Sequence, residues 1–190
     1  MNNMILNNKS FEILENFLAD YSKKIYGRDI SKRLKINQKT VSNILNRLEK
    51  DHILKFSIEG KNKYYYLNKL NPNIKEIIKL IEVERKIKFI ERYKKFNDLF
   101  NKLQLRTDGI LVIFGSYANF STNEKSDIDL LIIGKHKEIK DLEELYNLKI
   151  NIVKIDKKKF NKSGVLIKEI IKNHVLLKGV EEFIELIWQI

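Results

Sequence analysis

Two stretches decide the fold of the carboxy-terminal half: Ile110-Leu111-Val112-Ile113-Phe114-Gly115-Ser116 and Ser126-Asp127-Ile128-Asp129-Leu130-Leu131-Ile132-Ile133. The first is a continuous apolar run, which reads as a buried strand ending at a Gly-Ser turn. The second reads as another strand, with two carboxylates at its start. Ten residues separate Ser116 from Asp127. Residues i and i+2 of a strand point the same way. Asp127 and Asp129 are therefore expected to project together, close enough to grip one or two divalent cations. Hard carboxylate oxygens suit Mg²⁺ or Mn²⁺. Gly115 lets the backbone approach a phosphate closely, and Ser116 with nearby backbone N–H groups suits a triphosphate.

Gly-Ser, ten residues, Asp-x-Asp resembles the signature of the DNA polymerase β-like nucleotidyltransferases, in particular the minimal nucleotidyltransferases of archaea and bacteria. The match is Gly115-Ser116-Tyr117-Ala118-Asn119-Phe120 with Ser126-Asp127-Ile128-Asp129. The resemblance implies a nucleoside triphosphate, ATP, bound with Mg²⁺ or Mn²⁺, and AMP transfer to a protein or other acceptor. Asp127 and Asp129 would be the catalytic metal ligands; Gly115 and Ser116 would hold phosphate. Some members modify a partner toxin, so an antitoxin role with a toxin partner is also implied.

Two departures stand out. The family carries a basic residue after Gly-Ser and a later glycine, where this chain has Tyr117 and Phe120. Its third carboxylate sits on the next strand, here Leu148–Ile155, at the position of Asn151. Asparagine is a weak ligand and cannot act as a base. Asp156, five residues on, has the opposite strand parity. The alternative is a non-enzymatic DNA-binding regulator, or antitoxin, with a degenerate nucleotide-binding domain.

Upstream the pattern changes. Phe11 to Tyr21 reads as an amphipathic helix, Arg28 to Leu34 as a second, and Gln38 to about Asp51 as a third, N-capped by Asn37. Two strand-like runs, Ile53–Ile58 and Lys63–Leu67, flank Glu59-Gly60-Lys61-Asn62 as a hairpin. This order resembles the winged helix-turn-helix of prokaryotic regulators. The resemblance implies duplex DNA as partner. Gln38, Lys39, Thr40, Asn43 and Arg47 on the third helix offer donors and acceptors to base edges and phosphates. Arg28, Lys32, Lys61 and Lys63 would add backbone contacts.

Between the halves, Ile74 to Leu103 has helical spacing that weakens around Glu82–Lys86. It reads as one long helix, about 45 Å if unbroken, or two helices with a bend. Asp108-Gly109 reads as a turn. Beyond the Asp-x-Asp strand, Glu138–Tyr146, Val165–Lys172 and Val180–Trp188 read as helices. Ile171–Gly179 resembles the tail of archaeal members that join a winged helix to this domain. The expected architecture is α+β: a winged helix-turn-helix over residues 1–72, a long helical linker or dimerisation segment over 73–105, and a nucleotidyltransferase-like α/β domain with a small mixed sheet over 106–190.

Composition is consistent with this division. Residues 1–105 carry 23 Lys and Arg against 12 Asp and Glu, and residues 106–190 carry 14 against 13. Nearly all of the net +12 lies in the first half, which suggests either a polyanion partner there or simply a lysine-rich surface. The absence of cysteine excludes disulfides, thiolate metal sites and cysteine catalysis. His52, His136 and His174 are isolated, and none is read as a ligand. No membrane span or signal peptide is evident, so a soluble, cytoplasmic protein is expected, as a homodimer.

Overall fold

The computed structural model describes residues 6–124, 126–161 and 164–188. The chain divides into two compact units, Met1–Ile81 and Glu82–Ile190. The fold is α+β.

The first unit is a winged helix-turn-helix. Helix α1, Asn8–Leu14, starts at Asn7, whose side chain accepts the Ser10 amide. It ends earlier than the periodicity suggests, passing into a 3₁₀ turn at Glu15–Phe17. The cause is local. The Asn16 side chain donates to the Glu12 and Ile13 carbonyls at 2.9 and 3.0 Å, competing for oxygens the helical ladder needs. Helix α2, Gly27–Leu34, closes on Lys35 in the left-handed conformation. Helix α3, Gln38–Lys50, starts at Asn37, which accepts the Lys39 amide at 2.8 Å. Ile30, Val41, Leu45 and Leu48 are fully buried and lock the pair together.

Strands β2, Leu54–Glu59, and β3, Asn62–Leu67, pair antiparallel from Leu54↔Leu67 to Glu59↔Asn62. Gly60 and Lys61 form the tip. A two-residue strand β1, Ile25–Tyr26, adds to β3 and completes a sheet in the order β1-β3-β2. Two residues are too few to leave a periodic signal in sequence.

Helix α4 is Ile74–Arg92. The helix runs unbroken through Glu82–Lys86, where the pattern weakens, and is interrupted only at Tyr93, followed by a 3₁₀ turn at Lys94–Phe96 and helix α5, Asn97–Arg106. The pattern weakens earlier for another reason. Glu82 is a fully buried polar residue bonded to buried His174, and Lys86 donates to the Leu177 carbonyl.

The second unit holds a mixed sheet in the order β6-β5-β4-β7. Strands β4, Thr107–Phe114, and β5, Ile128–His136, are antiparallel; β6, Ile150–Ile155, runs parallel to β5. Ile110 to Ile113 are all buried, as their unbroken apolar run requires. Asp108-Gly109 is not a turn. Gly109 lies inside β4 opposite Gly134, each at positive φ. A Cβ on Gly109 would fall 2.4 Å from the Ile133 carbonyl oxygen, so the ladder passes there only because both residues lack one. Strand β7, Val175–Lys178, lies in the segment between two readable helices and pairs with β4.

Helices α7, Lys140–Tyr146, α8, Val165–Lys172, and α9, Val180–Trp188, complete the unit. Phe89, Phe100, Leu103, Leu111, Ile113, Leu130, Ile132 and Leu142 meet in one core. Among the described residues, no helix is long and apolar enough to cross a membrane.

Candidate functional site

The site forms where three strands present their ends. Asp129 pairs with Phe114 on β4 and with Asn151 on β6. Asp127 lies just before β5. The Asn151 amide nitrogen is 3.0 Å from Asp129 Oδ1 and 3.4 Å from Asp127 Oδ2. One amide thus reaches both carboxylates, which converge on a single point. Lys149 Nζ stands 3.3 Å from Asp127 Oδ2 and offsets part of the like-charge repulsion.

β4 hands the chain to Gly115, the first residue of the short helix α6, Gly115–Ala118. Gly115 has φ +69, and a Cβ there would fall 2.3 Å from Asp129 Oδ2. The positive φ favours glycine, and any side chain there would also force the Asp129 carboxylate to turn away. Ser116 follows, half-buried, with its carbonyl accepting the Ser121 amide at 3.0 Å. The Gly-Ser turn and the Asp-x-Asp strand are thus in direct contact.

Tyr117 and Phe120 acquire structural accounts. Tyr117 is buried, and burial, with Tyr93 and Asp127 nearby, pushes its phenol above the ordinary tyrosine range. Phe120 adopts φ +56. Its amide bonds to the Tyr117 carbonyl while the Ser121 amide reaches Ser116. This closure of a helix end commonly uses glycine, and here phenylalanine occupies the glycine conformation.

Asp156 accepts the Lys158 amide at 2.8 Å and caps the turn after β6, at the opposite end of that strand from Asn151. Among the described residues, no cluster of three or more His, Cys, Asp or Glu forms a metal cage. The candidate set is two aspartates and one asparagine. Lys149 escaped sequence reading because nothing marks it out from the other lysines. Its position two residues before Asn151 on the neighbouring strand is the signal that could have found it.

In the first unit, Arg28, Lys32, Gln38, Lys39, Asn43, Arg47 and Lys61 are exposed, and Thr40 is half-buried. Lys63 is half-buried. Its ammonium lies 3.0 Å from Asn46 Oδ1 and 3.8 Å from the centre of the Phe56 ring. Asn46 also accepts the Tyr65 hydroxyl at 2.7 Å, so these residues tie the wing to α3. Arg47 Nε lies 3.8 Å from Asp51, one turn along the same helix.

This geometry agrees with the comparisons. Residues 105–182 match the family described as polymerase beta, nucleotidyltransferase, and form a domain of that type. No curated protein sequence matches the chain. Among solved structures, a toxin-antitoxin with AMP-PNP is 18% identical, with a TM-score of 0.38; the alignment covers 48% of this chain and 78% of that one. MepR, a transcription regulator of the Staphylococcus aureus multidrug efflux pump MepA, is 17% identical, with a TM-score of 0.37 and coverage of 51% and 73%. The PcaV transcriptional regulator from Streptomyces coelicolor is 13% identical, with a TM-score of 0.37 and coverage of 52% and 74%. Likenesses this weak say nothing about function.

Proposed function

We propose that the chain is a metal-dependent nucleotidyltransferase whose winged helix binds duplex DNA. The observation that carries this reading is the convergence of the Asp127 and Asp129 carboxylates beside the Gly115-Ser116 turn. In this reading Asp127 and Asp129 hold Mg²⁺ or Mn²⁺, whose positive charge offsets the charge developing on the phosphates. Gly115 and Ser116 hold the phosphates of a nucleoside triphosphate, ATP. An acceptor hydroxyl oxygen bonds to the α-phosphorus, the α–β bridging bond breaks, and pyrophosphate leaves. The hydroxyl proton passes to water, because Asn151 cannot take it.

On the DNA side, Gln38, Lys39, Thr40, Asn43 and Arg47 would face the major groove. Arg28, Lys32, Lys61 and Lys63 would meet phosphates, with Lys63 also bracing the wing. Exposed Val83 and Ile87 lie one turn apart along α4, which supports pairing of two copies through this helix. The domain assignment that accompanies this reading is a winged helix over 1–72, a connecting segment over 73–105 and a nucleotidyltransferase domain over 106–190.

A second reading is favoured by Asn151 itself. A neutral amide at the third ligand position suits a site that binds nucleotide and metal without fast transfer, in a DNA-binding regulator or an antitoxin with a toxin partner. Incubation with ATP labelled at the α-phosphate, Mg²⁺ and acceptor proteins separates the two. Metal-dependent label transfer that is lost in Asp129→Asn supports the enzyme. Tight binding with no transfer supports the regulator.

A further inference from the structure

Phe120 is the outermost of a series of aromatic rings. Tyr117, Tyr93 and Phe120 follow one another, with centroids 5.0 Å apart for the first pair and 6.2 Å for the second. The Phe120 and Tyr93 rings are parallel to within 5°. Phe89 lies 6.4 Å from Phe120 at a tilt. Phe89, Tyr93 and Tyr117 are buried, whereas Phe120 is 39% exposed. The inner end of the series lies at the candidate site. Tyr117 directly follows Ser116 in the turn. The Tyr93 hydroxyl is 3.4 Å from the Tyr117 carbonyl and 3.3 Å from Thr122 Oγ1, which fixes the ring behind Phe120.

The backbone makes the choice of residue more telling. A bulky side chain at φ +56 is disfavoured, and glycine would adopt this conformation without strain. The ring is also more exposed than the neighbours it packs against, so burial alone is a poor reason for it. A flat, partly exposed ring backed by a parallel one is a stacking surface. Every nucleobase has a π-face, and stacking on aromatic side chains binds bases without regard to sequence.

We propose that Phe120 is the stacking platform for the base of a nucleotide whose phosphates lie on Gly115-Ser116. The inference rests on the nucleotide-binding reading of that turn and adds the residue that engages the base. Phosphate contacts come from the start of the turn and the base contact from its end. The platform binds an aromatic base of any identity, and purines, with the larger π-face, more tightly than pyrimidines.

The test is calorimetric titration with a non-hydrolysable ATP analogue and, separately, inorganic tripolyphosphate, both with Mg²⁺. Wild type is compared with Phe120→Leu, which keeps an apolar cover but no π-face, and with Phe120→Trp, which keeps the platform. Circular dichroism checks that both variants fold. Phe120→Leu should weaken the ATP analogue about tenfold or more and leave tripolyphosphate unchanged, while Phe120→Trp retains nucleotide affinity. Equal ATP-analogue affinity in wild type and Phe120→Leu overturns the platform and leaves the nucleotide reading standing. Equal weakening of both ligands also overturns it, because the loss then lies in the phosphate turn. Wild type that binds neither ligand overturns both readings.

Discussion

Asn151 stands directly across the parallel ladder from Asp129, its amide nitrogen 3.0 Å from the carboxylate. The same amide is 3.4 Å from Asp127. One neutral donor thus reaches both acids, and the Lys149 ammonium stands beside Asp127 at 3.3 Å. Asn151→Asp should reverse that role. Three carboxylates would repel one another, lowering stability by about 1–3 kcal/mol without metal. Mg²⁺ or Mn²⁺ should then bind more tightly and restore the melting temperature. Thermal melts with and without metal check this. A variant as stable as wild type, with unchanged metal affinity, would place Asn151 outside the metal site.

Gly115→Ala should destabilise the domain and displace the Asp129 carboxylate. The new Cβ would meet Asp129 Oδ2 at 2.3 Å, and the positive φ of 69° adds strain. A loss of about 1–3 kcal/mol is expected, chiefly from the backbone strain. Urea denaturation measures it. A loss below about 0.5 kcal/mol would show that the turn does not hold this residue at positive φ.

Glu82 and His174 are fully buried, with Glu82 Oε1 3.1 Å from His174 Nε2. His174 Nδ1 is 2.7 Å from the Ile171 carbonyl. Removing one partner leaves the other with an unmet polar group in the interior. Glu82→Ala should therefore cost about 1–3 kcal/mol, read from denaturant midpoints. A near-neutral result would mean that water reaches the pair.

Lys61 and Lys63 are both at the wing yet should behave differently. Lys61→Ala should weaken every duplex to a similar extent and make the salt dependence shallower, as loss of one phosphate contact does. Lys63→Ala removes the ammonium from Asn46 and from the Phe56 ring, so it should also lower thermal stability. Asn43→Ala should reduce affinity for a preferred site more than for random duplex. Anisotropy titrations at two salt concentrations, with melts alongside, separate these outcomes. Indifference to all three changes would leave the winged helix as a protein-contact module.

The sequence made the helix-turn-helix and its hairpin legible because Val41, Leu45 and Leu48 recur at helical spacing and Gly60-Lys61 marks a turn. The Asp-x-Asp strand was legible because parity along a strand is geometric. Other features depended on partners distant in sequence. Gly109 looked like a turn because its need for positive φ comes from Gly134 across the ladder. Strand β7 is short and buried, and only its pairing with β4 defines it. Glu82 interrupted the apolar pattern of α4 because its partner, His174, lies far along the chain. Lys149 is one of many lysines in the sequence, and only the pairing of β6 with β5 brings it beside Asp127.

The most direct test of the central claim is calorimetric binding of a non-hydrolysable ATP analogue with Mg²⁺ to wild type and to Asp127→Asn/Asp129→Asn. Both substitutions keep side-chain volume and remove the two charges a cation needs. Wild type should show saturable, Mg²⁺-dependent binding, weakened more than about tenfold in the folded double variant, the loss expected when charged ligands are replaced by neutral amides. Equal affinity in the two proteins, or binding that ignores Mg²⁺, would contradict that claim.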